Sequence, residues 1–86
     1  LSWQEQLILA AARRARVRLR DGREGTIVYA PGTRTAQAKE NPVVRHRDRT
    51  RCGVRLDGEN PDTVRAFSVN YVVAVLDAEG NVAAAP

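Results

Sequence analysis

The chain is short of the residues that most surface chemistry needs. Its 86 residues include one cysteine, one histidine and no methionine, with one tryptophan, one phenylalanine and two tyrosines. A lone cysteine, Cys52, excludes an intramolecular disulfide framework, so a reducing compartment, the cytoplasm, is expected, a disulfide between chains being the exception. One histidine and one cysteine offer no zinc-ligand spacing. The longest apolar runs, Leu7 to Ala12 and Tyr71 to Leu76, fall far short of the roughly 20 residues a membrane span needs, and no signal-peptide pattern is present. No serine stands in a nucleophile-elbow context. Asp57, Glu59 and Asp62 cluster about a turn, and turn chemistry explains them better than an acid–base pair or a calcium loop. His46 and Cys52 would form a dyad only by accident of folding. No arrangement meets the requirements of a catalytic site. The expectation is a protein that is not an enzyme, with no cofactor, no metal and no membrane partner.

Lysine is also nearly absent: thirteen of the fourteen basic residues are arginine. A GC-rich genome would favour arginine over lysine without any selection for binding, but it would not cluster the arginines. They are clustered. Between Arg13 and Arg51 there are 12 basic and 4 acidic residues, a net of +8, whereas the first twelve residues carry −1 and the chain from Cys52 onward −3. Charge segregated in this way suggests a polyanionic partner. The size allows one domain with one small core, of a kind often helped by a ligand, a partner or oligomerisation. The chain opens on Leu1 rather than methionine, as a piece of a longer protein would.

Ser2-Trp3-Gln4-Glu5 fits a capping box, and good helix formers follow it through Ala12. Trp3, Leu7 and Ala11, with Ile8 beside them, make one apolar stripe on a helix of about residues 2–14, and Trp3 reads as its anchor to a sheet. Arginines at the helix end complement the negative end of its dipole. Arg16 to Arg20 then alternates strictly, Val17 and Leu19 on one face and three arginines on the other. Asp21 to Gly25 supplies a turn, and Thr26 to Tyr29 returns as a strand. A register with Leu19 facing Ile27 and Val17 facing Tyr29 keeps the apolar face consistent. Further strands are expected at Val43 to Arg47, Arg51 to Asp57 with Cys52, Val54 and Leu56 inward, Thr63 to Phe67, and Tyr71 to Leu76. The last is apolar on both faces and needs cover on both, from the barrel interior on one side and the helix or a second subunit on the other. Helix 1–15 would pack on a body of residues 16–77 that carries a mobile basic loop, 31–42, and residues 78–86 would form a turn and a frayed tail.

Val17-x-Leu19, the turn glycine at 22, the second glycine at 25 and Ile27-Val28 resemble the hairpin of KOW and other SH3-like barrels. Arg65 to Val72 is similar to the far end of such barrels, where a short 3₁₀ turn separates the last two strands. The resemblance covers about a third of the chain. It departs from the KOW pattern in lacking a leading Gly-Asp pair and in the length of Pro31 to Arg51. It implies a mainly β fold, a small five- to six-stranded SH3-like barrel with one N-terminal α-helix, and binding rather than catalysis, since barrels of KOW-like and Tudor-like kinds bind RNA, DNA, methylated peptides or proteins.

Phosphate recognition calls for repeated cations. Arg16, Arg18 and Arg20 share a strand face, joined by Arg13 and Arg14 from the helix end and Arg23 from the turn. Arg45, Arg47, Arg49 and Arg51 form a second alternating group. Tyr29, Phe67 and Tyr71 could be a platform for stacking bases or a cage for a methylated cation, though core packing is the commoner fate of aromatics in so small a protein. The function expected is therefore an arginine-rich domain binding DNA or RNA through phosphates. The alternative is an interaction module or structural subunit, a homo-oligomer or part of a larger protein assembly, with no nucleic-acid role.

Overall fold

A computed structural model describes residues 1–32 and 49–86. The fold is mainly β, one antiparallel sheet of six strands with one short helix at the N-terminus. The elements run α1 (Trp3–Ala12), β1 (Arg16–Leu19), β2 (Glu24–Tyr29), β3 (Arg51–Leu56), β4 (Arg65–Ser68), β5 (Val72–Leu76) and β6 (Val82–Ala84). Across the sheet the order is β4-β3-β2-β1-β5-β6, so the chain meanders through four strands and then returns to the free side of β1. The sheet does not close: β4 and β6 are its two edges. The expected strand Val43 to Arg47 and most of the basic loop lie outside the described residues. No helix among the described residues is long and apolar enough to cross a membrane.

Both halves of the capping box form. The Glu5 amide donates to Ser2 Oγ at 3.1 Å and the Ser2 amide to Glu5 Oε1 at 3.2 Å, which holds the Glu5 carboxyl below its ordinary range. At the other end the chain makes a Schellman turn. Ala15 N–H reaches the Ala10 carbonyl at 2.9 Å and Arg14 N–H the Ala11 carbonyl at 3.2 Å, with Arg14 in the left-handed region at φ 54°. This motif usually places glycine there. The two arginines expected inside the last turn therefore stand just beyond it. Leu7, Ala10 and Ala11 are the buried positions of α1, while Ile8 is 42% exposed and faces away from the stripe it was expected to join. Trp3 anchors the helix as expected: its Nε1 donates to the carbonyls of Val69 at 2.9 Å and Val72 at 3.1 Å.

The β1–β2 turn is tighter than the sequence suggests. Leu19 N–H donates to the Arg23 carbonyl at 2.8 Å, so only Arg20, Asp21 and Gly22 lie in the loop, Gly22 with φ 92°. Val17 then faces Gly25 and Arg16 faces Thr26, a four-residue shift from the expected pairing that preserves the faces. Gly25 is a strand residue, not a turn residue. A Cβ there would fall on the Arg55 carbonyl oxygen and within 2.9 Å of Val54 Cγ1, so β3 can lie against β2 only because position 25 is bare.

One face of the sheet and the inner side of α1 form the core, with Leu7, Val17, Leu19, Ile27, Cys52, Val54, Val72 and Val75 almost wholly buried. Each large aliphatic side chain so buried contributes roughly 1.5–3 kcal/mol. A bulge in β2 breaks the expected alternation. Ile27 faces Val54, but Tyr29 faces Gly53, leaving Val28 as the extra residue. Tyr29 is thereby turned to the opposite face from Ile27 and packs with Val28, Val64 and Ala66 in a second small cluster. Gly53 makes this possible, since a Cβ there would meet Tyr29 Cδ2 at 2.5 Å.

β5 is buried on both faces, as its composition predicts. Ala74 and Leu76, opposite Arg18 and Arg16 in the ladder, are buried within the chain itself. Residues 78–86 are likewise more than a tail: Asp77 Oδ1 accepts from the amides of Glu79 and Asn81, both at 2.9 Å. This turn brings β6 back along β5.

Candidate nucleic-acid interface

Strand alternation puts Arg16 and Arg18 on the outer face of β1, and register decides what they meet there. Glu24 stands directly opposite Arg18, and Asp57 follows the end of β3. Arg16 holds Asp57 with both terminal guanidinium nitrogens, Nη1 to Oδ1 at 2.6 Å and Nη2 to Oδ2, and lies 3.8 Å from Glu24. Arg18 Nε donates to Glu24 Oε2 at 3.0 Å. The paired guanidinium lowers the Asp57 pKa, and Asp57 raises that of Arg16. Two cations thus face two carboxylates. Arg55 lies on the same face opposite Thr26, its Nε buried and without a hydrogen-bond partner among the described residues.

Arg20 and Arg23 belong to the turn, and their surroundings differ. Arg20 Nη2 donates to the Asn70 carbonyl at 2.8 Å, and no carboxylate among the described residues pairs with it. Its guanidinium carbon lies 5.7 Å from the centre of the Tyr71 ring, and that of Arg23 5.6 Å from the Phe67 ring. The two rings are nearly parallel, 9° apart with centroids separated by 5.8 Å, and both are half-buried. Asp21 ties the corner together. It accepts from the Arg23 amide at 2.9 Å, from Arg23 Nε at 2.7 Å and from the Tyr71 hydroxyl at 3.0 Å. These bonds, the Arg23 amide first, hold the Asp21 carboxyl below its ordinary range. Glu59 is paired with Arg65 at 2.6 Å, and it also feels the Arg23 charge.

Of the remaining expected site residues, Arg13 and Arg14 are exposed and make no ion pair among the described residues. Arg49 is exposed in the turn before β3. Its carbonyl accepts from Gln4 Nε2 at 2.9 Å, and it borders a hollow of about 400 Å³ with Gln4, Ile8 and Gly32. Arg51 is exposed at the start of β3, opposite Ser68. Arg45 and Arg47 lie outside the described residues, as does His46. The structure therefore splits the first arginine group between a strand face and a turn, and does not bring the three aromatics together. Phe67 and Tyr71 meet, while Tyr29 is buried on the other face.

Cys52 is fully buried, and burial pushes its thiol up to about 12, so it is neither a nucleophile nor accessible for a disulfide between chains. No group of three or more metal-ligating side chains occurs among the described residues. Arg65 and Arg55 were not among the expected site residues. Arg55 could have been placed by the alternation of β3, but the partner of Arg65 depends on how the 57–64 turn folds. No family model matches the chain, and neither the curated proteins nor the solved structures contain a significant match to it.

Proposed function

We propose that this chain is a small SH3-like binding domain, not an enzyme, whose ligand is nucleic acid held chiefly through its phosphates. The observation that carries the proposal is the concentration of a net +8 between Arg13 and Arg51. The strand order β4-β3-β2-β1-β5, with a tight turn between β4 and β5, is consistent with SH3-like topology; the open edges are the departure from it. Arg13, Arg14 and Arg20, which no carboxylate among the described residues engages, are the cations best placed to meet phosphate, and Arg23 would first have to give up Asp21. Arg16 and Arg18 would first have to give up Asp57 and Glu24. A cytoplasmic setting suits a single, buried cysteine.

Titration of duplex DNA, single-stranded DNA and RNA at low and at physiological salt tests the proposal. Apparent affinity should fall steeply as salt rises, because each neutralised phosphate releases counterions. Affinity unchanged between the two salts would overturn it. A second reading, a subunit of a larger assembly with no nucleic-acid role, is favoured by the exposure of Ile8 and Leu9 on α1 and of Leu1 just before it. Under that reading sedimentation would show a stable oligomer, and no nucleic acid would bind at either salt.

A further inference from the structure

The corner between β4 and β5 does not look like packing alone. Phe67 and Tyr71 are half-buried, packed against the core on one side, and present two nearly parallel, stacked rings with a guanidinium group over each. We propose that this corner is a base-stacking subsite for single-stranded nucleic acid, with Phe67 and Tyr71 as its floor and Arg20 and Arg23 as its rim. The inference rests on the nucleic-acid reading above and narrows it to one class of ligand.

Three features carry it. The rings are already aligned: Asp21 accepts the Tyr71 hydroxyl, Phe67 lies in the β3–β4 ladder opposite Cys52, and the two rings stack on each other. A guest therefore orders little on arrival. The rim is cationic and partly anchored. Arg20 is tethered to the Asn70 carbonyl and Arg23 to Asp21, which leaves guanidinium planes next to where the phosphates flanking a stacked base would lie. Finally, the rings are not sealed. At 5.6 to 5.7 Å from the ring centres the guanidinium groups are within cation–π range but beyond close stacking distance, so neither closes off its ring by tight contact and a base can enter beside it. Two guanidinium ions would repel a methylated cation, the other common guest of aromatic surfaces. An aromatic guest with a negative backbone suits the corner, and a duplex hides its base faces.

Anisotropy titrations with a labelled dT12 strand and its duplex test the subsite, on the full chain and on the Phe67→Leu and Tyr71→Leu variants. The single strand should bind at least about tenfold tighter than the duplex. Either leucine variant should lose about tenfold in affinity for the single strand while the salt dependence keeps its slope, since every cation that meets phosphate is retained. Equal binding of strand and duplex, with no effect of the leucine variants, would overturn the subsite and leave the phosphate reading standing. Absence of binding to any nucleic acid would instead remove the reading on which it rests. Should a leucine variant fail to fold, photocrosslinking of the unaltered protein to bromouracil-substituted dT12 decides. A crosslink to Phe67 or Tyr71 supports the subsite, and one confined to other residues overturns it.

Discussion

Arg18 and Arg20 are two residues apart in the chain, yet they stand in different electrostatic surroundings. Arg18, with Arg16, lies on a strand whose register sets Glu24 and Asp57 within reach, so the cationic face neutralises itself. Arg20, with Arg23, lies at a turn where the acceptors are a carbonyl and one carboxylate shared with a tyrosine hydroxyl. Counting arginines along a sequence overstates the charge available to a ligand. What remains depends on which acidic residues the register delivers across the ladder.

The largest contrast between the two regions should appear on substituting their glycines. Gly25 lies beneath the paired face, where an added methyl meets the backbone of β3. Gly25→Ala should force β2 from β3, separate Arg16 from Asp57, and cost about 3 kcal/mol of stability in urea unfolding, at the upper end for overpacking. Gly22, in the corner turn, has nothing within 4 Å of the added methyl, so Gly22→Ala bears only the penalty of its φ of 92°. About 1 kcal/mol is expected there. Equal losses at the two sites would mean that the close approach of β2 to β3 is not what fixes the paired face.

Charge removal should show the opposite ranking in binding. Arg20→Gln with Arg23→Gln is expected to weaken nucleic-acid affinity about fivefold and to lower the salt slope by about one, chiefly from Arg20, since Arg23 is already paired with Asp21. Arg16→Gln with Arg18→Gln should change affinity by no more than about twofold, since those guanidinium groups are already engaged by carboxylates. Equivalent losses from the two double variants would erase the distinction between the strand face and the turn.

Much of this was legible in the sequence. The capping box, the Trp3 anchor, the inward set Val17, Leu19, Ile27, Cys52, Val54 and Leu56, and the double burial of β5 all follow from period and composition. What failed was whatever depends on a single extra residue. A strict alternation puts Tyr29 on the face of Ile27, but the bulge at Val28 reverses it, and the signal for that bulge is a glycine on another strand, Gly53. Gly25 reads as a turn residue locally and is a crossing residue globally. β6 escaped because a three-residue strand with two alanines carries almost no strand signal until the Asp77 turn aims it at β5. The site suffered in the same way: a cluster of arginines is visible in the sequence, but their partners are set by register.

The smallest effect separates the regions by pH. The Asp57 carboxyl is held below its ordinary range by the hydrogen bonds from Arg16, so its folded pKa lies beneath its unfolded one. Such a group stabilises the fold above the unfolded value, about 3.9, and that contribution fades as pH falls through the lower folded value. Stability attributable to the pair should thus be constant between about pH 6 and 8 and decline below about pH 4. Both side chains are more than a third exposed, which limits the pair to about 0.5 kcal/mol after solvent screening. Asp57→Asn should lower the urea midpoint slightly at about pH 7 and converge with the unaltered protein near about pH 2, where the carboxyl is protonated in both states. Asp21→Asn should behave differently, because its acceptor role toward Tyr71 and the Arg23 amide is partly kept by the amide oxygen. An unchanged neutral-pH midpoint for Asp57→Asn would show that the pair adds nothing to stability, and that the outer face is neutralised without being held.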